Sequence, residues 1–349
     1  MASKVTIADV AQHAGVSTGT VSAVLNEKPT VRPETRDRVL ASIDELGYAP
    51  SKSAQELGGA PDSDASRSGT IGVIIKEADN PFYSELIMEV RRALKKNGYD
   101  MFVGTSGGDY AEEGELIDSF RDHHVDGLII APVLHEDADL SHLFTLNEAD
   151  FPFVLLEDVQ GLQANVVSID NVKAAQRAVV YLIRQGHERI LHFAGPPYTQ
   201  HTRDRILGVQ KAFSESSLRY TDEHIVSAGA HMEDGFLTAI DLFEDMKKSD
   251  LPTAVTCFND LVAIGVLRAL AQLYIDVPED ISVVGYDDIQ PADYLTVPLT
   301  TVRASKREMG EKAARLLLKQ INAEDPVEPR HAQVESELAI RASTRPITR

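Results

Sequence analysis

The residues best suited to bind a small molecule stand directly behind apolar runs. Asn80 follows TIGVIIKEAD, Glu157 ends FPFVLL, Asn259 follows TAVTCF and Asp287 follows ISVVGY, while Arg205 opens the helical stretch RDRILGV a little after RILHFAG. If these runs are strands of parallel sheets, their C-terminal ends gather the five side chains in one crevice. Arg205, Asn259 and Asp287 then offer donors and acceptors in fixed planes. That suits a polyol, whose hydroxyls donate and accept at once. Phe82 adds a flat apolar face for a sugar ring. Asn80, followed by Pro81, reads as a helix cap that turns backbone N–H groups toward a ligand. Each polar residue also has a plainer reading. Asn259 can simply cap a helix, Asp287 can form a turn, and Arg205 can pair with Asp204 or another nearby carboxylate.

Nothing comparable points to catalysis. The Ser, His and Asp residues form no nucleophile–base–acid spacing. His123 and His124 are adjacent, so on a helix they diverge and make a poor metal pair. GTSGGDY, residues 104–110, lacks the Gly-Lys-Ser/Thr end of a phosphate loop. Cys257 is the single cysteine, which excludes an intrachain disulfide and a cysteine-built zinc site. We expect a binding protein with no cofactor, no metal and no enzymatic activity.

A second stretch, Thr6 to Asn26, suits a different ligand. Thr6 and Asp9 suit a helix start, Ile7, Val10, Ala11 and Ala14 form an apolar stripe, and Gly15 suits the stop. Ser17 can cap a second helix that buries Val21, Val24 and Leu25. Thr18, Gly19, Ser22 and Asn26 then face outward. A face this small and polar can approach base edges and phosphates closely. By periodicity alone the pair is a generic amphipathic one. A third helix follows Pro33, with Val39, Ile43 and Leu46 inward.

The wider context is more specific. Thr6-Ile7-Ala8-Asp9-Val10-Ala11, Gly15-Val16-Ser17, Thr20-Val21-Ser22, Leu25-Asn26 and Glu45-Leu46-Gly47-Tyr48-Ala49-Pro50 resemble the head of the LacI/GalR family of bacterial transcription regulators, and the similarity runs nearly to the C-terminus. The resemblance implies a second helix that reads the major groove, with DNA contacts at Thr6, Ser17, Thr18, Gly19, Thr20, Ser22, Asn26, Tyr48 and Ala54. It also implies a hinge helix that places Leu57 as a wedge in the minor groove. It implies effector contacts at Arg205, Asn259 and Asp287. Asn80, Phe82 and Glu157 complete the candidate site, with Glu157 standing where the family usually has Asp. The family often has Arg or His at the position of Ala23 and Arg at that of Gln55. Both differences remove DNA-facing charge.

The charge balance is unusual for a DNA binder. The 349 residues carry a formal charge of −20. Residues 1–58 hold six cations against seven acids, so even this segment lacks a basic footprint. One alternative is therefore a solute- or sugar-binding protein with a degenerate DNA-binding head. The main expectation is a repressor that binds double-stranded operator DNA as a homodimer and responds to a small-molecule effector, most plausibly a sugar. No apolar run is long enough to span a bilayer and no export signal is recognisable, so a cytoplasmic location is expected. No leucine heptads follow the last strand pattern, so no tetramerisation tail is expected.

The remaining chain alternates apolar runs with amphipathic helical stretches. That pattern predicts an α/β fold in which parallel sheets form two similar lobes. The family resemblance implies a core like that of periplasmic binding proteins, whose chain crosses between the lobes three times. The expected division is a head over 1–57 with its hinge at 50–57, a flexible linker at 58–69, and a core at 70–349. Within the core we expect one lobe of about 70–169 plus 300–326 and another of about 170–299 plus 327–349. The crossings are expected near 168–172, 298–302 and 325–330.

Overall fold

The computed structural model describes residues 5–25, 31–46, 67–135 and 137–347. Asn26, Tyr48, Ala54, Leu57, the hinge and linker residues 58–66 lie outside the described residues. Contacts divide the chain between Ser68 and Gly69.

The head contains α1 (Ile7–Ala14), α2 (Thr18–Leu25) and α3 (Pro33–Leu46). Thr6 and Asp9 form a reciprocal cap on α1, with the Thr6 backbone N–H donating to Asp9 Oδ2 at 2.7 Å. Gly15 takes φ +63°, a left-handed turn that frees the chain for the next helix. Ser17 Oγ accepts the Thr20 N–H at 3.2 Å and so starts α2. Val10, Ala11, Ala14, Val21, Val24 and Val39 form the buried core, with Ile7, Ile43, Leu25 and Leu46 at its edge. The helices thus converge on one small apolar centre, and the outer face of α2 is left to solvent.

The core holds two six-stranded sheets. The first consists of β1 (Thr70–Ile75), β2 (Asp100–Thr105), β3 (Gly127–Ile130), β4 (Phe153–Leu155), β5 (Asn165–Ile169) and β11 (His331–Val334), in the order β11-β5-β4-β3-β1-β2. All its pairings are parallel; Val73, for example, lies between Val103 and Ile129. The second consists of β6 (Ile190–Ala194), β7 (Ile225–Ser227), β8 (Ala254–Cys257), β9 (Ser282–Tyr286), β10 (Thr300–Ala304) and β12 (Ser336–Ala339), in the order β12-β10-β9-β8-β6-β7. Only β12 pairs antiparallel here. Helices α4 (Pro81–Lys96), α5 (Tyr110–Asp122), α6 (Ser141–Glu148) and α11 (Lys306–Ile321) pack on the first sheet. Helices α7 (Asn171–Arg184), α8 (Gln200–Ser214), α9 (Met232–Phe243) and α10 (Asp260–Gln272) pack on the second.

Central strands are buried on both faces, as parallel sheets with helices on each side require. β2 is different. It lies at a sheet edge and leaves Phe102 and Val103 44% and 47% exposed, although DMFVGT reads as a buried run.

The crossings between lobes correct the expected boundaries. The chain passes first at Asp170, between β5 and α7. The second passage is at Ser305 rather than at 298–302, because β10 pairs with β9 and β12 in the second sheet. The third is at Glu335 rather than at 325–330, because β11 extends the first sheet beside β5. Residues 300–304 therefore belong to the second lobe and His331–Val334 to the first. Strand pairing decides this, for β11 with a partner some 160 residues away, and local periodicity does not encode it.

Candidate functional site

The C-terminal ends of both sheets face a cavity of about 680 Å³ between the lobes, a volume suited to a small organic ligand. Asn80, Phe82, Glu157, Arg205, Asn259 and Asp287 all line it. Their local roles differ.

Asn80 caps α4, accepting the Phe82 N–H at 3.1 Å. The Phe82 ring packs against the apolar cores of both lobes and stands edge-on to Tyr83 at 5.4 Å. Glu157 is buried and pairs with Lys76 Nζ at 2.7 Å. Its other oxygen, Oε1, approaches His201 Nδ1 at 3.4 Å across the cleft and accepts no hydrogen bond among the described residues. Burial opposes the Glu157 charge, but His201 and Lys76 outweigh it and hold the carboxyl below its usual range. Burial takes His201 down to about 4, against the pull of Glu157. Near pH 7 His201 is thus neutral and its pull on Glu157 lapses, which leaves Lys76 as the cation that keeps Glu157 ionised.

Arg205 does not pair with Asp204, whose Oδ1 accepts from Gln200. Its Nε donates to Asn171 Oδ1 at 3.0 Å, and another guanidinium nitrogen makes a short bond to the Phe258 carbonyl. Its Cζ lies 3.5 Å from the Tyr286 ring centroid and 4.6 Å from that of Phe258. The Tyr286 hydroxyl completes the clamp by donating to Asn171 Oδ1 at 2.9 Å. A planar, weakly hydrated cation suits such a stack.

Asn259 does cap a helix: its Oδ1 accepts the Val262 N–H at 2.8 Å, while its Nδ2 donates to the Ala230 carbonyl at 2.8 Å. Asp287 takes φ +110° and Asp288 φ +50°. This strained turn is held from behind. Asp260, fully buried, accepts from the Thr301 hydroxyl at 2.6 Å and from the Ile289 N–H at 2.9 Å. Its carboxylate lies so close to β9 that a Cβ at Gly285 would sit 2.1 Å from Oδ1. Lys306 Nζ donates to the Asp287 and Asp288 carbonyls at 2.7 and 2.9 Å. The Asp287 carboxylate itself accepts no hydrogen bond among the described residues. Burial, moderated by Arg205 and Lys306, pushes it up to about 6.

Two further ties join the lobes. Glu85 accepts the Gln290 N–H at 2.9 Å and Glu77 meets His231 at 3.0 Å, while Glu85 also pairs with Lys306 at 3.2 Å within the first lobe. Sequence reasoning missed Lys76, Asn171, His201, Tyr286 and Lys306. Two signals were available. Lys76 is the charged residue ending the apolar run TIGVII, and His201 stands one turn before Arg205 on one helix face.

On the head, Ser17, Gly19 and Thr20 line a shallow concavity with Ala23, Arg32, Thr35 and Arg38. Thr18 and Gly19 are exposed and Ser22 is half-buried. Ser17 and Thr20 share a hydrogen bond of 2.9 Å between their hydroxyls. Thr6 is exposed, with its hydroxyl bonded to Asp9. A Cβ at Gly19 would meet only Ser17 Oγ, at 3.8 Å, so packing does not require a glycine there. Arg32 and Arg38 were not predicted as part of this surface.

Known proteins share this division into head and core. The chain matches the family model for bacterial regulatory proteins of the lacI family over residues 6–51 and a periplasmic binding protein-like domain over 179–344. It is 32% identical to the HTH-type transcriptional repressor PurR of Vibrio vulnificus (strain CMCP6), covering 98% of this chain and 99% of that one. It is 33% identical to the PurR of Vibrio atlanticus (strain LGP32), covering 97% and 98%. Among solved structures, a transcriptional regulator CelR–cellobiose complex aligns with a TM-score of 0.70 at 31% identity, covering 97% of this chain and 99% of that one. The lac repressor dimer bound to operator and the anti-inducer ONPF aligns with a TM-score of 0.76 at 26% identity, covering 98% and 100%. The chain belongs to the lacI family of bacterial regulatory proteins: it is a DNA-binding transcription regulator with a helix-turn-helix head and a ligand-binding core.

Proposed function

We propose that this regulator is a cytoplasmic repressor that binds its operator as a homodimer and changes operator affinity when a sugar or related polyol occupies the cleft. The cavity carries the reading: donors, acceptors and a flat ring from both lobes border one volume. A ligand that touches both walls favours one relative placement of the lobes, and such differential affinity is what a switch requires. Asn80, Phe82, Glu157, Arg205, Asn259 and Asp287 are assigned to the effector. Cellobiose accompanies CelR, and the lac repressor structure is a dimer on operator; extending a sugar and a dimer to this chain is part of the proposal.

On the head, Thr6, Ser17, Thr18, Gly19, Thr20 and Ser22 are assigned to operator contacts, and Arg32 and Arg38 to flanking phosphates. Asn26, Tyr48, Ala54 and Leu57 keep the DNA-facing roles their place in the family motif implies. A self-association surface is supported by Met88 on α4, by Phe102 and Val103 on the adjacent β2, and by Leu237 on α9, all large apolar side chains at least 44% exposed. Thermal melts of the full chain against uncharged sugars and polyols, with sedimentation equilibrium, test this reading. The expected result is a dimer with at least one stabilising sugar. A monomer, or melts indifferent to the whole panel, argues against it.

A further inference from the structure

We propose that Lys76, through its pairing with Glu157, makes the cleft reject anionic effectors and select uncharged, hydroxyl-rich ones. This deepens the reading of the cleft as the effector site and rests on it. The cavity is lined by the carboxylates of Glu77, Asp79, Glu157 and Asp287 against the permanent cations Lys76 and Arg205. Both cations are already engaged. Lys76 is bonded to Glu157 Oε2 at 2.7 Å, with both side chains largely buried. Arg205 is held by Asn171 and the Phe258 carbonyl and lies over two rings.

The unsatisfied group at the cleft is an acceptor: Glu157 Oε1 is buried without a hydrogen bond among the described residues. The Asp287 carboxylate, half-buried, also lines the cavity. A buried acceptor without a donor is costly, and a ligand hydroxyl relieves that cost. A phosphate or carboxylate does the reverse, losing its water to face more negative charge.

Lys76 is thus a specificity-determining residue that acts through Glu157. Neutralising Glu157 while keeping its shape leaves Lys76 charged, buried and unpaired, which is the condition for capturing an anion. A merely structural Lys76–Glu157 pair would lose stability on substitution but gain no ligand.

Isothermal titration of the full chain with inorganic phosphate and with glucose 6-phosphate tests this. Wild type is expected to bind both only weakly. Glu157→Gln is expected to bind inorganic phosphate about 10- to 100-fold more tightly than wild type, the effect of one charge-assisted hydrogen bond. The double variant Lys76→Met/Glu157→Gln is expected to lose that gain. A folded Glu157→Gln protein with no gain, or a gain that persists in the double variant, overturns the proposal.

If circular dichroism shows Glu157→Gln unfolded, wild-type thermal melts with glucose, ribose and cellobiose against their phosphate esters decide. Any ester that stabilises more than its parent sugar overturns the proposal, and the absence of such an ester upholds it. These readouts use no DNA. An operator unresponsive to sugars would refute the switch and leave the anion result standing.

Discussion

The outer face of α2 in the head is built from hydroxyls and a glycine, whereas the walls of the cleft are built from charges. Ser17 before α2 and Thr18, Gly19, Thr20 and Ser22 on it present short groups, with Arg32 and Arg38 nearby. In the cleft, Lys76, Arg205, Glu157 and Asp287 stand close together, and Glu77 and Asp79 join the lining. Neither surface offers a large surplus of positive charge. The head carries few cations; the cleft carries buried cations, Lys76 paired with Glu157 and Arg205 bonded to neutral acceptors. With the proposed operator contacts, the first arrangement makes binding depend on close fit and on phosphates contacted one at a time. The second makes binding depend on a preorganised network in which each removed charge exposes another.

That contrast can be broken most severely at Arg205. Arg205→Ala strips the Phe258 carbonyl of its guanidinium donor, leaves Asn171 Oδ1 with the Tyr286 hydroxyl alone, and leaves two rings facing a cavity. A loss of about 3–5 kcal/mol in stability is expected, as for other broken buried networks, together with loss of sugar-induced stabilisation. Urea unfolding and the sugar melts measure both. A near-neutral outcome would mean that the cleft tolerates missing charges as the head does.

The head is expected to behave differently. Gly19→Ala meets no steric obstacle in the free protein and improves helix propensity, so the melting temperature should hold or rise. Operator affinity should fall about tenfold if a base or phosphate approaches that position closely. Anisotropy with a fluorescent operator measures this, and unchanged affinity would remove Gly19 from the interface. Arg38→Ala is expected to weaken binding several-fold for every DNA sequence and to lower the salt slope by about 1. A sequence-dependent loss would make Arg38 a base reader instead.

The smallest effect concerns Asp287. Its pKa rises from the usual 3.8 to about 6 in the folded chain, chiefly through burial. Between those values the folded state holds more protons than the unfolded state, so stability falls as pH rises from about 4 to about 6. Asp287→Asn should flatten that slope, by about 1 kcal/mol once partial exposure to water is allowed for. Denaturant unfolding across this pH range measures it, and an unchanged slope would assign the pH dependence to other groups.

Much of this was legible because it is local. Thr6, Asp9, Gly15 and Ser17 announce helix ends by their own chemistry, and Asn80 and Asn259 announce caps. Apolar runs such as TIGVII and ISVVGY announce strands, and a parallel sheet then brings the residues behind them to one edge. What was not legible is nonlocal. β10 and β11 resemble any short strand, and only pairing with β9 and with β5 assigns each to its lobe. Lys76 gains its meaning from Glu157, 81 residues away. Tyr286 gains its meaning from the guanidinium it covers. The exposure of Phe102 and Val103 follows from β2 lying at a sheet edge, which its composition does not reveal.

The central claim, that occupation of the cleft controls the operator, is tested most directly by operator affinity of the full chain with and without a saturating sugar that binds the cleft. The account predicts a change of about 5- to 150-fold, the range of about 1–3 kcal/mol of coupling, and its disappearance in Arg205→Ala. The same operator affinity at zero and at saturating sugar, with sugar binding confirmed by calorimetry, would contradict it.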